Sequence, residues 1–329
     1  MASPQGPFLA PVNRIKPPDP LIPSVIPEFP HFKKLELSDK EAVESFTQHY
    51  PPYSDFNFTS MWAWDVKGEM RVSQLNGNLV VRFTDYTTGE PFYSFLGTSN
   101  VSDTARKLLD LSVKEDLNPI LKLLPEVSAS ELDNTSFAVQ EDRDHFDYIY
   151  NIEKLSTYDG NRLRSKRNFF NRFKKRYAYS IVKLDPSDQQ VQENIRNLFR
   201  VWAANKKSDN KFDATEDSQE WQAVNRIFEA SRDRNLIFIG MLINGNLVGF
   251  IINELLANDY ALLHFEKADD NYIGIYSCLM SENAKILSIF NKKVLNHEQD
   301  LGIEGLRLGK RSFCPMYFLK KYAVRGLQI

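Results

Sequence analysis

Apolar residues recur at regular spacing in the second half of the chain. Five of them between Val191 and Trp202 follow the spacing of one helix face, i, i+4, i+7, i+8 and i+11. Residues 221–228 predict a second helix on the same grounds. Residues 236–241 and 247–255 are apolar runs on either side of Asn244-Gly245, the pattern of a β-hairpin. A strand at residues 260–266 and a helix at residues 274–289 complete this stretch.

The first half of the chain predicts the same order of elements. Residues 38–46 predict a short helix, with Ser38 and Glu41 at capping-box spacing. An aromatic-rich segment at residues 54–64 follows, and residues 71–83 predict a hairpin around Asn76-Gly77. A strand at 92–96 and a helix at about 102–113 come next. Even the turn recurs, as LNGNLV at residues 75–80 and INGNLV at residues 243–248.

Helix, helix, hairpin, strand, helix, strand, helix is the order of the GNAT acyltransferase fold, a mixed sheet with helices on both faces. The chain therefore resembles two tandem GNAT-like domains of the α+β, or mixed α/β, class. Its 329 residues suit two domains of roughly 150 residues. We expect a proline-rich extended arm at 1–30, an N-terminal GNAT-like domain at 31–150, and a C-terminal one at 151–329 that carries the basic helix and the candidate site.

Composition narrows the functional classes. The formal net charge is −2, so any attraction for a polyanion must come from a local patch. Two cysteines cannot build a disulfide framework. Residues 235–257 are apolar enough to suggest a membrane span, but Asn244-Gly245-Asn246 interrupts them and favours two strands. Without a secretory signal at the N-terminus, we expect a cytoplasmic protein with no transmembrane segment.

The segment from Arg162 to Arg176 is strongly basic. Eight of its fifteen residues are Lys or Arg and none is acidic, while its aromatic residues gather on one side of a helix. Clustered cations bind phosphates, of tRNA or of a lipid headgroup, by releasing counterions. The alternative is a solvated helix face without a ligand. The substrate-binding candidates in this segment are Arg162, Arg164, Lys166 and Arg167.

The strand at residues 260–266 directs His264 and Glu266 to one face, followed by Lys267. A histidine and a carboxylate suit acid/base work or the binding of an amine, although a purely structural pair fits equally. The loop after the strand carries Asp269 and Asp270 and only one glycine. Proteins that use coenzyme A hold its pyrophosphate with backbone amides at such a helix start, and two carboxylates there would repel the pyrophosphate. The loop therefore disfavours coenzyme A.

Residues 296–313 combine charges with a glycine-rich turn. Glu298, Asp300 and Glu304 lie near Gly302 and suit a cationic substrate amine, with Asn296 beside them. They could equally form a capping cluster balanced by Arg307 and Lys310. Neither a metal-ligand spacing nor a nucleophile elbow occurs in the sequence. We therefore expect no metal and no covalent serine chemistry, and, with coenzyme A disfavoured by the acidic loop, no cofactor.

Several of these segments resemble one bacterial family. The similar pieces are 54–56, 62–64, 146–150, 153–156, 160–173, 264–274 and 296–307, of which the last is the most specific. They resemble standalone proteins related to the C-terminal domain of phosphatidylglycerol lysyltransferase. The resemblance covers nearly all of the chain after residue 30.

This resemblance implies transfer of an aminoacyl group from charged tRNA to an amine or hydroxyl of a small molecule, lipid headgroup or peptide. Such a reaction needs neither metal nor coenzyme A. Glu266, Glu298 and Asp300 would hold or deprotonate the amine, and His264 or Lys267 would offset charge on the ester carbonyl. Two alternatives stay open, an acyl-CoA-dependent N-acyltransferase and a non-catalytic binding module.

Overall fold

The computed structural model describes residues 25–85, 88–206, 218–231 and 235–327. In these ranges the helices are α1 (Lys40–Thr47), α2 (Phe58–Trp64), α3 (Val101–Lys114), α4 (Glu126–Ala129), α5 (Ile152–Thr157), α6 (Arg164–Arg176), α7 (Gln189–Lys206), α8 (Gln219–Ala230), α9 (Ile275–Ile289) and α10 (Glu304–Arg311). The strands are β1 (Lys33–Lys34), β2 (Arg71–Leu75), β3 (Asn78–Thr84), β4 (Pro91–Leu96), β5 (Leu121–Pro125), β6 (Phe137–Glu141), β7 (Asp147–Asn151), β8 (Tyr179–Lys183), β9 (Leu236–Ile243), β10 (Asn246–Leu255), β11 (Tyr260–Ala268), β12 (Val294–Asn296), β13 (Tyr317–Leu319) and β14 (Lys321–Gly326).

The chain folds as two compact units. The terminal-segment unit contains the described residues of 25–150, 222–230 and 296–327, and the central-segment unit contains those of 151–221 and 231–295. One change of unit falls at Tyr150, where the sequence predicts a domain boundary. Residues 296–327 belong to the unit that contains 25–150.

The terminal-segment unit is organised by a sheet of order β1-β2-β3-β4-β5-β14-β6. Strand β14, from the end of the chain, lies between β5 and β6 and is antiparallel to both. Strands β4 and β5 are parallel, so the chain between them must cross over, and α3 makes that crossover. Apolar residues of α3, of β3 to β5 and of β14 form the core, among them Val80, Phe95, Leu108, Leu121 and Val324.

The central-segment unit contains four antiparallel strands in the order β11-β10-β9-β8. The β9–β10 hairpin turns at Asn244 and Gly245, whose φ angles of 52° and 81° are typical of a type I′ turn. A bulge between Ile252 and Asn253 changes the register of β10 against β11. Helix α9 packs on β10 and β11, and α5 and α6 pack against α9.

The predicted fold class is confirmed. The chain is mixed α+β with two sheets, and two helices, a hairpin, a strand and a helix occur twice, as α1–α2–β2–β3–β4–α3 and as α7–α8–β9–β10–β11–α9. These are two GNAT-like repeats. Most of the predicted arm at 1–30 lies outside the described residues. Within its described part, Phe29 donates a backbone hydrogen bond to Gln74 of β2.

One predicted helix start is wrong. Ser38 lies inside a short 3-10 turn, Leu37–Asp39, that precedes α1. The reciprocal capping hydrogen bonds are made by Glu36 and Asp39, since the Asp39 carboxylate accepts from the backbone N–H of Glu36 at 2.9 Å. The Asp39 carboxylate also forms an ion pair with Lys33, an interaction that the uncharged Ser38 hydroxyl cannot make.

Candidate functional site

A buried lysine organises the polar interior of the terminal-segment unit. Lys321 on β14 is fully buried, with Nζ 2.7 Å from Asp147 Oδ1 and in an ion pair with Asp55. It also donates to Gln299 Oε1 at 3.0 Å. Burial lowers the pKa of Lys321, but the charges of Asp147 and Asp55 outweigh it and the net shift is upward. Lys321 is therefore a permanent cation.

Asn296, predicted to bind substrate, is part of this interior. Its side chain is buried, and Nδ2 donates to Asp147 Oδ2 at 3.1 Å and to the Pro52 carbonyl at 2.7 Å. Its Oδ1 accepts from the backbone N–H of Glu298 at 2.8 Å. Asn296 thus fixes the start of the loop that carries Glu298.

Glu298 lies half-buried in that loop with φ 52°. Ser60 Oγ of α2 donates to its Oε1 at 3.3 Å. The backbone on both sides is held to β7, because Tyr148 donates to the Glu298 carbonyl and His297 donates to the Tyr148 carbonyl. The carboxylate is therefore presented by a rigid backbone and contacts a neutral hydroxyl.

Asp300 is buried and accepts five hydrogen bonds. Arg307 donates from Nε and Nη2, and Arg143, Tyr148 and the Gly302 N–H donate the others. Burial raises the pKa of Asp300, but these donors outweigh it and leave the pKa below its ordinary value. Both oxygens are occupied, an arrangement that suits an anchor of the loop better than a proton acceptor. Glu304 lies exposed in the first turn of α10.

Lys310 was not among the predicted site residues, yet it is buried on α10 while Leu306 and Leu308 of the same helix are exposed. Its Nζ donates to the His297 carbonyl and lies 5.8 Å from the ring centroid of Tyr148. Burial and the charge of Lys310 lower the pKa of His297 well below its usual range. No local pattern in the sequence marks Lys310 as buried, because the leucines of α10 point outward.

His264 has a partner that the sequence did not predict. Its Nε2 lies 3.2 Å from Oε2 of Glu254 on the neighbouring strand β10, and both residues are buried. Glu266, two residues along β11, is half-buried. Burial raises the pKa of Tyr158, and the negative charge of Glu266 raises it further. Glu266 therefore lies among the phenols of the central-segment unit.

Lys267 packs on an aromatic face. Its Nζ lies 3.7 Å from the ring centroid of Trp202 on α7 and 2.7 Å from Oε1 of Glu220 on α8. A cation–π contact and an ion pair at a mostly buried ammonium hold the side chain firmly. This geometry suits a residue that ties α7 and the start of α8 to β11.

The basic segment is a helix, as predicted. Within α6 and the residue pair before it, Phe173 and Leu163 are buried, whereas Arg162 and Arg164 are exposed and Lys166 and Arg167 are half-buried. Arg167 Nη1 donates to the Tyr158 carbonyl at 2.6 Å and so holds the helix start to the preceding loop. Most of the positive charge therefore faces solvent.

Helix α6 lies against the beginning of α9. Gly274 precedes α9 with φ 92°, and a Cβ atom built there would come within 2.7 Å of the Phe169 carbonyl oxygen. The glycine is thus needed for the close approach of α6. In the loop before it, Asp269 accepts from Asn271 and from Asn205 of α7.

Among the described residues, there is no group of three or more His, Cys, Asp or Glu side chains arranged to hold a metal ion. In the same parts of the chain, none of the helices combines the length and apolar character needed to cross a bilayer.

Comparison with known proteins decides the family. Residues 47–325 match the family described as phosphatidylglycerol lysyltransferase, C-terminal. The chain belongs to this family. Among curated proteins, it is similar to an uncharacterised protein of Mycoplasmoides gallisepticum, with 23% identity over 182 residues. That match spans 54% of this chain and 55% of the relative, so it covers only about half of the relative's length.

Solved structures of the family's fold cover more of the chain. A conserved protein of unknown function from Bacteroides thetaiotaomicron superposes with a TM-score of 0.78 at 26% identity, over 90% of this chain and 99% of the other. L-PGS from Bacillus licheniformis superposes with a TM-score of 0.57 at 14% identity, over 87% and 91%. At 14% identity, the similarity to L-PGS shows a shared fold alone.

Proposed function

We propose that this member of the phosphatidylglycerol lysyltransferase C-terminal family is an acyltransferase that uses aminoacyl-tRNA as its donor. The acceptor would be an amine or hydroxyl of a small molecule, a lipid headgroup or a peptide. Family membership supports acyl transfer, and the basic surface of α6 supports a polyanionic donor. Neither donor nor acceptor identity follows from the family alone.

The observation that carries the choice of donor is the contact between α6 and the start of α9. Coenzyme A pyrophosphate is bound at a helix N-terminus by free backbone N–H groups and open space. Here the Phe169 carbonyl occupies the space above Gly274, and α6 packs along α9. Asp269 and Asp270 add negative charge beside it. The same helix that obstructs a pyrophosphate offers an outer face rich in Lys and Arg.

The proposed reaction needs one proton acceptor and one stabiliser of negative charge. The acceptor nitrogen or oxygen attacks the ester carbonyl carbon of the aminoacyl-tRNA, and the bond between that carbon and the ribose oxygen breaks. The proton leaves the attacking atom for a carboxylate and is returned to the ribose oxygen. We assign the carboxylate role to Glu266 or Glu298, and the substrate-phosphate role to Arg162, Arg164, Lys166 and Arg167.

The remaining predicted residues are assigned to positioning. Asp300 anchors its loop through five hydrogen bonds, and Asn296 accepts from the Glu298 N–H. Lys310, which was not predicted, donates to the carbonyl of His297 beside Glu298. His264 and Lys267 have the partners Glu254 and Glu220. In this proposal, charge on the ester carbonyl would be offset by His264 or Lys267 only after rearrangement of those pairs.

The test is binding of the purified protein to charged and uncharged tRNA over a salt series. We expect tighter binding of charged tRNA and a steep loss of affinity with salt, because phosphate contacts release counterions. The matched variants reverse three charges each, at Arg164, Arg172 and Lys175 of α6 or at Arg106, Lys107 and Lys114 of α3. Loss of binding only in the α6 variant supports the proposal.

Acetyl-CoA is the control ligand. A ligand selective for the folded state raises the melting temperature. A rise with acetyl-CoA, together with indifference to tRNA at low salt, would replace the proposal with the acyl-CoA alternative. If neither acetyl-CoA nor tRNA binds, the non-catalytic binding module becomes the favoured function.

A further inference from the structure

Two apolar side chains stand exposed within the basic surface of α6. Phe169 is 40% exposed and Ile273, in the loop before α9, is 46% exposed. Their backbones come close, because the Phe169 carbonyl approaches Gly274, the residue after Ile273. Arg172 and Arg176 follow Phe169 at i+3 and i+7, on the same side of the helix. The guanidinium of Arg172 lies 5.9 Å from the Phe169 ring centroid.

The other aromatic residues of α6 are already in use. Phe173 is fully buried and packs edge-on against Tyr179. Phe170 packs edge-on against Tyr158, and the ammonium groups of Lys174 and Lys285 lie 5.2 and 5.0 Å from its ring centroid. Packing of the helix thus accounts for Phe170 and Phe173 and leaves Phe169 partly exposed.

We propose that Phe169, with Ile273 in the adjoining loop and Arg172 and Arg176 on the same side of the helix, is a stacking platform for an unpaired base of the donor RNA. An aromatic ring among cations is the common solution for single-stranded nucleic acid, since the ring stacks on a base while the cations meet the backbone phosphates. This inference rests on the proposed function, because it assigns part of the tRNA to a place on α6.

The size of the apolar patch distinguishes RNA from a lipid surface. A helix that lies in a membrane interface needs a continuous apolar face to insert. Helix α6 turns its apolar face inward, where Phe173 and Leu163 are buried, and exposes one aromatic ring with one neighbouring isoleucine. One exposed aromatic ring can stack on one base. The 3′ end of tRNA, which carries the aminoacyl group, is single-stranded. An unpaired base of this end is therefore the partner that the patch fits.

The experiment compares an RNA hairpin that has a short 3′ single-stranded tail with the same hairpin cut blunt, by fluorescence anisotropy. The variants are Phe169→Ala, Phe169→Leu and Phe169→Trp. Phe290→Ala is the matched control, because Phe290 is 41% exposed at the far end of α9. We expect the wild type to prefer the tailed hairpin, and Phe169→Ala to weaken that binding about tenfold, as loss of one stacked base does.

Leucine should fail to restore binding and tryptophan should restore it, while Phe290→Ala should match the wild type. Equal binding of tailed and blunt hairpins that is unchanged in Phe169→Ala would overturn the platform and leave the proposed donor intact. Absence of all RNA binding would overturn both. Phe169-dependent binding to vesicles of anionic lipid, with none to the tailed hairpin, would overturn the platform in favour of a membrane contact.

Discussion

The close approach of α6 to α9 predicts an unusual sensitivity at Gly274. Replacement by Ala has two costs there. The left-handed backbone at φ 92° costs a residue with Cβ about 1–2 kcal/mol. The new methyl group would also lie 2.7 Å from the Phe169 carbonyl oxygen, so α6 must move, and overpacking of this kind costs about 1–3 kcal/mol. We expect a total loss of about 2–5 kcal/mol in the free energy of unfolding.

Gly160 provides the matched control. Its φ is 90°, and a Cβ there meets no atom within 4 Å. Gly160→Ala therefore carries the backbone cost without the contact, and the difference between the two variants isolates the packing of α6. Urea unfolding measures both, and hydrogen exchange of the α6 amides shows whether that helix loosens only in Gly274→Ala. Equal losses in the two variants, with α6 protection unchanged, would refute the argued contact.

Three further predictions concern buried titratable groups. Lys321→Met should lower the free energy of unfolding, measured in urea, by about 3–5 kcal/mol, because it leaves the buried carboxylates of Asp147 and Asp55 without their cation. The double variant that also carries Asp147→Asn should lose less than the sum of the two single changes. The pKa of Asp300 is lowered, so its contribution to stability is present above the unfolded value of about 4 and is lost as the pH falls through the folded pKa. Asp300→Asn should therefore lower the melting temperature near neutral pH and converge with the wild type in acid. Burial raises the pKa of the Cys278 thiol to about 12, so a thiol reagent at pH 8 should modify it only after unfolding, and Cys278→Ser should leave the native-state titration unchanged.

Local patterns in the sequence predicted much of the fold. Hairpins at Asn76-Gly77 and Asn244-Gly245 are set by residues that accept positive φ, and α9 occupies the span that its apolar residues indicate. The basic helix is also found where its composition placed it. These elements depend on neighbours in the sequence, which is why a single sequence is enough to predict them.

Pairing between strands that are far apart in the chain could not be predicted from the sequence. Nothing local to residues 321–326 says that β14 inserts between β5 and β6, because its partners lie far back in the chain. The same holds for the site: Lys321 meets Asp147 and Asp55 from elements that are far apart in the sequence, and Glu254 reaches His264 across the bulged pairing of β10 with β11. The burial of Lys310 was not predicted, for a related reason. Amphipathic periodicity assumes that leucines face inward, but α10 buries a lysine on polar partners and leaves Leu308 in solvent.

Glu298 and Asp300 lie in one loop, but their carboxylates are held differently. This difference separates a catalytic role from a structural one. Asp300 has both oxygens occupied by Arg307, Arg143, Tyr148 and a backbone N–H, whereas Glu298 Oε1 accepts from the neutral hydroxyl of Ser60. A base must release its donors to accept a proton, which is costly for Asp300 because two guanidinium groups hold its carboxylate.

Glu298→Gln should therefore lose most aminoacyl transfer, on the order of the 100-fold that acid–base catalysis contributes, at an unchanged melting temperature. Asp300→Asn should lose stability and turnover together. Glu153→Gln is the isosteric control on the exposed first turn of α5 and should resemble the wild type in both measurements. Glu266→Gln tests the other assigned carboxylate in the same assay. If Glu298→Gln and Glu266→Gln both retain full turnover, no carboxylate named here removes the proton, and the acid–base part of the proposed reaction fails.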